Sequence, residues 1–193
     1  MILFLGSEDS PLLPFLRLTG EAVMWTQEPL TVDIIHRCGD PFLVSFNYHH
    51  IVTADVLEAV GENRAVNLHI AYLPFNRGAD PNFWSWVDGT PKGVTLHYMD
   101  TGIDTGPVIL RWDIADHMFP MDSTLRTTYD VLQRVAVRMF RECWSDVRAG
   151  SVVEFEVFGG TYHNRRDRES LEYLLTDGWD TPVSVLAEYG RGR

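Results

Sequence analysis

Five short, mostly apolar runs limit what this chain can fold into: Ile2 to Leu5, Ala22 to Thr26, Phe42 to Phe46, Ala65 to Ile70 and Gly93 to Met99. Each ends in turn residues, so each reads as a strand feeding out of a core. The segments between the first four read as short helices. Pro11 to Leu18 opens with a proline, Thr31 to Cys38 is a brief helix or turn, and Thr53 caps a helix that runs through Val60 to Gly61. Strand and helix therefore alternate, which predicts an α/β fold with a mainly parallel sheet flanked by helices.

The later chain completes that plan. Val108 to Asp113 reads as a strand paired with Gly93 to Met99, and Pro81 to Asp88 as a helix capped by Asp80. From Asp122 or Ser123 to Ala149 runs the longest helix, with Leu125, Tyr129, Leu132, Val135, Ala136, Met139, Phe140, Cys143 and Val147 spaced three or four apart. Val152 to Val157 is expected to form an edge strand. At 193 residues a single core is the default, with residues 1–150 as the body and 151–193 as a C-terminal extension packed on it.

Sixteen basic against twenty-seven acidic side chains leave a formal charge of −11, which disfavours nucleic acid as a partner. The basic cluster Arg165-Arg166-Asp167-Arg168 is interrupted by an acid, and a solvated or structural role is expected for it ahead of phosphate binding. The N-terminal Met1 to Leu5 has no basic lead and breaks at Gly6, so it reads as a strand rather than a signal peptide, and no run is long enough to span a membrane. Cys38 and Cys143 lie far apart, consistent with two reduced thiols in a cytoplasmic protein. Gly6-Ser7-Glu8 lacks the spacing of a dinucleotide fingerprint and puts acids where a phosphate would sit.

The chemistry concentrates between Asn67 and Asp104. Residues two apart on a strand share a face, so Asn67 and His69 project together, one an amide donor and the other a ring that titrates near neutrality. The next strand returns a carboxylate, Asp104, toward them, and a carboxylate beside a histidine fixes its tautomer and favours its charged form. Such a set stabilises an oxyanion and moves a proton without a metal. His49 and His50 admit a metal reading, but no third ligand stands at a recognisable spacing, and a loop leaving a strand's carboxyl end more often lines a pocket. Phe83, Trp84 and Trp86 read first as cover for the sheet. Arg77, in a Gly-flanked loop, has three equal readings: a phosphate, a carboxylate, or Asp80 as its partner.

In order, Asn67-Leu68-His69, Leu73-Pro74, Arg77-Gly78 and Asp100-Thr101-Gly102-Ile103-Asp104-Thr105-Gly106 closely resemble the signature of the folate-dependent formyltransferases. Arg77 to Trp84 and Thr90 to Thr95 are similar to the formylation domain of linear gramicidin synthetase and to small stand-alone relatives. The resemblance implies a Rossmann-like formyltransferase catalytic domain that moves a formyl group from 10-formyltetrahydrofolate to a primary amine. It implies oxyanion donors at Asn67 and His69 and a proton-accepting carboxylate at Asp104. Folate contacts are implied at Tyr48, His50, Ile51, Met99 and Asp100, and acceptor contacts at Arg77 and Gly78, with no metal. Relatives usually carry a serine two residues after the histidine, where this chain has Ala71. The acceptor expected first is an amino sugar linked to a nucleotide. An aminoacyl group on a carrier protein, a small amine, hydrolysis of the formyl folate, or folate binding without turnover are alternatives, and a homodimer is compatible with all of them.

Overall fold

A computed structural model describes residues 1–120 and 122–192. Met121 and Arg193, the last residue of the expected extension, lie outside the described residues. Six strands form one sheet in the order β2-β1-β3-β4-β6-β7. They are β1 (Ile2–Leu5), β2 (Val23–Thr26), β3 (Phe42–Phe46), β4 (Ala65–His69), β6 (Gly93–Tyr98) and β7 (Val108–Asp113), while β5 (Arg77–Gly78) and β8 (Tyr162–His163) form a two-stranded sheet. β1 pairs in parallel with both β2 and β3, and β3 pairs in parallel with β4, as strand–helix alternation predicts. The last pair differs. Tyr98 N–H donates to Pro107 O and Ile114 N–H to Lys92 O, so β6 and β7 run antiparallel and the sheet is mixed.

The chain divides into two compact units. The first comprises residues 1–69, 96–109 and 137–156, and the second residues 70–95, 110–136 and 157–193. β6, β7 and the long helix α5 (Leu125–Ala149) each contribute residues to both.

In the first unit every residue of β1 and β3 is buried, and helices α1 (Leu12–Arg17), α2 (Val32–Cys38) and α3 (Ala54–Val60) contribute Leu12, Leu13, Ile35 and Val56 to its core. Fully burying one such side chain contributes roughly 1.5–3 kcal/mol. That sum outweighs the weak ends of these helices: Thr53 sits at the N-cap of α3 with extended backbone but makes no capping hydrogen bond. Val152 to Val157 is not a strand. Among the described residues its strand pairing is one reciprocal bridge between Phe155 and Val108, and Val153 is 86% exposed. β-branched residues favour strands because they fit a pleated, half-buried surface, and Val153 has none to fit.

In the second unit α4 (Pro81–Val87) buries Phe83, Trp84 and Trp86. Asp80 precedes it but does not cap it, since it adopts a left-handed conformation and its carboxylate pairs with Arg168 at 2.9 Å. The basic cluster lies in α6 (Arg165–Glu169), opened by a capping box between Asn164 and Asp167. The last helix is α7 (Val183–Arg191).

Candidate active site

β4 delivers Asn67 and His69, and the loop after β6 delivers Asp104, all within the first unit. The loop is shaped by its own polar groups. Asp100 accepts hydrogen bonds from Gly102 N–H at 3.0 Å and Thr105 Oγ1–H at 2.7 Å, closing an Asx-type turn. A side chain on Gly106 would put a Cβ 2.1 Å from Tyr98 O, so the return to β7 demands glycine. Asp104 itself has φ +53°, a left-handed conformation that aspartate adopts more readily than most non-glycine residues.

The Asp104 carboxylate lies between two histidines. Asp104 Oδ2 lies 3.6 Å from His69 Nε2, and Oδ1 lies 3.1 Å from Asn67 Nδ2 and 3.5 Å from Nε2 of His97 on β6. His97 is the residue that sequence reasoning missed. Its signal was present, as a histidine inside an apolar strand leading directly to the carboxylate loop, but it is only 2% exposed and reads as core. His97 Nδ1 is 2.7 Å from Tyr98 O, a contact that requires a proton on Nδ1, since a bare ring nitrogen would face a carbonyl lone pair. Nε2 is then the acceptor of the neutral ring and takes a hydrogen bond from Asn67 Nδ2 at 3.2 Å. The same logic orients Asn67, because a reversed amide would aim its oxygen at two acceptors. His69 and Asp104 are both nearly buried, with side chains 10% and 11% exposed.

The residues expected to meet folate border the same unit's core. Tyr48 and Met99 pack against the cluster built on Leu3, Leu5 and Val56. Tyr48 donates its hydroxyl proton to Glu28 O at 2.7 Å and meets the His50 ring edge-on at 5.4 Å. Burial pushes the Tyr48 phenol up; a hydrogen bond to the Leu30 backbone opposes this and the Glu28 charge reinforces it. Ile51 is 71% exposed. Among the described residues no group of three His, Cys, Asp or Glu side chains is placed to hold a metal ion.

Arg77 and Gly78 lie in the second unit. β5 pairs in parallel with β8, and Gly78, at φ +89°, would put a Cβ 2.3 Å from His163 O. Of the three readings of Arg77, the one with Asp80 is not realised as an ion pair among the described residues, and the Asp80 carboxylate pairs with Arg168 instead. Arg77 Nε is buried with no hydrogen-bond partner among the described residues. His163 stacks on Trp84 with centroids 3.7 Å apart and holds Asp88 at 2.7 Å, a structural staple.

A mixed α/β sheet with an Asn-His-Asp cluster at the end of its fourth strand defines a class. The formyl transferase family model matches residues 27–142, and the chain belongs to that family. From end to end it is similar to the solved formyltransferase PseJ from Anoxybacillus kamchatkensis, in complex with UDP-4,6-dideoxy-4-formamido-L-AltNAc and tetrahydrofolate. The two are 41% identical, the match covers 98% of each chain, and the TM-score is 0.91. A 4-N formyltransferase from Francisella tularensis shares the fold at 19% identity, with 88% of this chain and 78% of that one covered and a TM-score of 0.73. Methionyl-tRNA formyltransferase of Alkaliphilus metalliredigens (strain QYMF) is 30% identical over 128 residues, 66% of this chain and 40% of that protein. The chain thus spans about two fifths of the length of the curated relatives it matches.

Proposed function

We propose that this chain is an N-formyltransferase that moves a formyl group from 10-formyltetrahydrofolate to the primary amine of a nucleotide-linked amino sugar. The observation that carries the chemistry is the packing of Asn67, His69 and Asp104 into one nearly buried cluster with His97. The acceptor rests on the end-to-end likeness to a solved enzyme holding a formamido sugar joined to UDP. Arg77 supports it, as a guanidinium that makes no ion pair among the described residues and suits a diphosphate.

The formyl folate supplies an activated carbonyl carbon. His69 and one N–H of Asn67 donate to the carbonyl oxygen as it gains negative charge, and a single donor of this kind is worth roughly 3–4 kcal/mol in the transition state. Asp104 accepts the proton that the attacking amine must lose. Tyr48, His50, Ile51 and Met99 hold the pterin, and Asp100 keeps the Asp104 loop in shape. A panel of nucleotide-linked amino sugars, aminoacyl carrier proteins and small amines, assayed with 10-formyltetrahydrofolate, tests the reading. Amine-dependent turnover with a sugar nucleotide is expected. Formate release without amine would make the protein a hydrolase, and transfer to a carrier-bound amino acid alone would replace the acceptor.

A further inference from the structure

Asn67 Nδ2, His97 Nε2 and Asp104 Oδ1 form a triangle with sides of 3.1, 3.2 and 3.5 Å. Only the asparagine corner brings hydrogens to it. The other two corners are acceptors facing each other, because the Tyr98 carbonyl holds the His97 proton on Nδ1. The two amide hydrogens diverge by about 120°, too wide to be aimed squarely at corners of so compact a triangle. The edge between His97 Nε2 and Asp104 Oδ1 therefore carries no hydrogen of its own. A proton on His97 Nε2 would turn the acceptor–acceptor edge into an N–H donor facing a carboxylate, the charge-assisted kind. It would also end the Asn67-to-His97 hydrogen bond and release one Asn67 N–H.

We infer that His97 is a buried proton store, acting through Asp104, that takes up the amine's proton and in the same event frees an Asn67 N–H for the oxyanion. This rests on the proposed transfer reaction and adds a residue to it. As the amine nitrogen bonds to the formyl carbon it becomes positively charged and gives one proton to Asp104, which passes it to His97 Nε2. The released Asn67 N–H then meets negative charge on the carbonyl oxygen. When the bond from the formyl carbon to the donor nitrogen breaks, the proton returns through Asp104 to that nitrogen. The amine loses one proton and the departing nitrogen gains one, so no outside acid or base is consumed.

The titratable groups that face His97 among the described residues suit this cycle. Asp104 faces Nε2 from the loop, His69 on β4 faces the far oxygen of that carboxylate, and Tyr98 follows on β6. The Tyr98 phenol is pushed up by burial and by the Glu154 charge, so it stays protonated and out of the exchange. At 2% exposure His97 itself cannot trade protons with bulk water except through its neighbours.

The first test needs no substrate. In ligand-free protein with ¹⁵N-labelled histidine, the His97 signals, identified by their loss in His97→Gln, should show a protonated Nδ1 and a bare Nε2 in the neutral ring. The reverse tautomer would overturn the inference whatever the enzyme's activity. The second test is kinetic. Glutamine can still accept from Asn67 but cannot take up a proton, so His97→Gln should keep its folate affinity and melting temperature. Its kcat should fall roughly 10–100-fold, a share of general acid–base catalysis. Imidazole buffer should then raise that kcat with concentration, while the wild-type rate stays flat. Turnover within twofold of wild type, or a loss with neither buffer dependence nor a changed pH profile, would reduce His97 to a packing residue. Failure of the wild type to formylate any amine would instead strike the proposed function, and the tautomer result would still stand apart from it.

Discussion

Each of the two compact units holds a histidine against an aspartate, and the two pairs are built to opposite ends. In the second unit His163 reaches Asp88 at 2.7 Å and lies flat on Trp84, so its hydrogen bond and its ring are both satisfied within the fold. In the first, Asp104 is 3.6 Å from His69 and 3.5 Å from His97 on a backbone with positive φ, and it accepts from an amide that is shared with a second acceptor. A short, stacked pair fastens two segments together. A looser one, in which two acceptors share one amide, suits a place where a proton has to move. Distance and satisfaction, more than residue type, separate the staple from the site.

The contrast can be broken by exchanging the roles. Asp104→Asn keeps the shape of the loop residue but removes the base, and kcat for formyl transfer should fall roughly 10²–10⁴-fold with a melting temperature near that of wild type. Loss of cooperative unfolding in Asp104→Asn would make the first pair a staple too. His69→Ala removes an oxyanion donor and should lower kcat roughly 10²–10³-fold with KM little changed, read from steady-state kinetics. His163→Ala should do the reverse. Losing the hydrogen bond and the ring stack should cost about 1–2 kcal/mol in denaturant unfolding, while kcat stays within a few-fold of wild type; a large loss of kcat at full stability would place His163 in the chemistry.

The smallest effect belongs to a partly exposed pair. The Arg148 side chain, hydrogen-bonded to Glu21 at 2.8 Å, lowers the Glu21 carboxyl below its ordinary value, with burial opposing and the Arg148 charge adding to the shift. A carboxylate lowered on folding contributes its full stability above about pH 4.5, its unfolded value, and loses it as pH falls through the folded one. Glu21→Gln should remove at most about 0.5 kcal/mol at neutral pH and flatten that acid decline, as followed by thermal melts between neutral and acid pH.

Much of the fold was legible because strands buried on both faces announce themselves. Phe42–Phe46 has the bounds read from sequence, and the Asn67 and His69 strand ends one residue short of the apolar run that marked it. What escaped depended on partners distant in the chain. Val152 to Val157 has the residues of a strand, yet only Phe155 finds a pairing partner among the described residues. Asp80 has the residue type of a cap, but Arg168, 88 positions later, takes its carboxylate. His97 looks like core from its neighbours, and its meaning appears only when Asn67 and Asp104 are placed around it. Arg77 has three readings in the sequence, and the Asp80 carboxylate that one of them invokes is paired with Arg168.

The central claim is that the loose Asn-His-Asp cluster performs amine formylation. Its most direct test is the single-turnover rate of formyl transfer from 10-formyltetrahydrofolate to a UDP-linked amino sugar, measured for wild type and folded Asp104→Asn at equal folate occupancy. Product formation by the wild type, with a rate in Asp104→Asn lower by two orders of magnitude or more, is the expected result. Equal rates in the two proteins would contradict the assignment of the base and, with it, the division of labour between the two histidine–aspartate pairs.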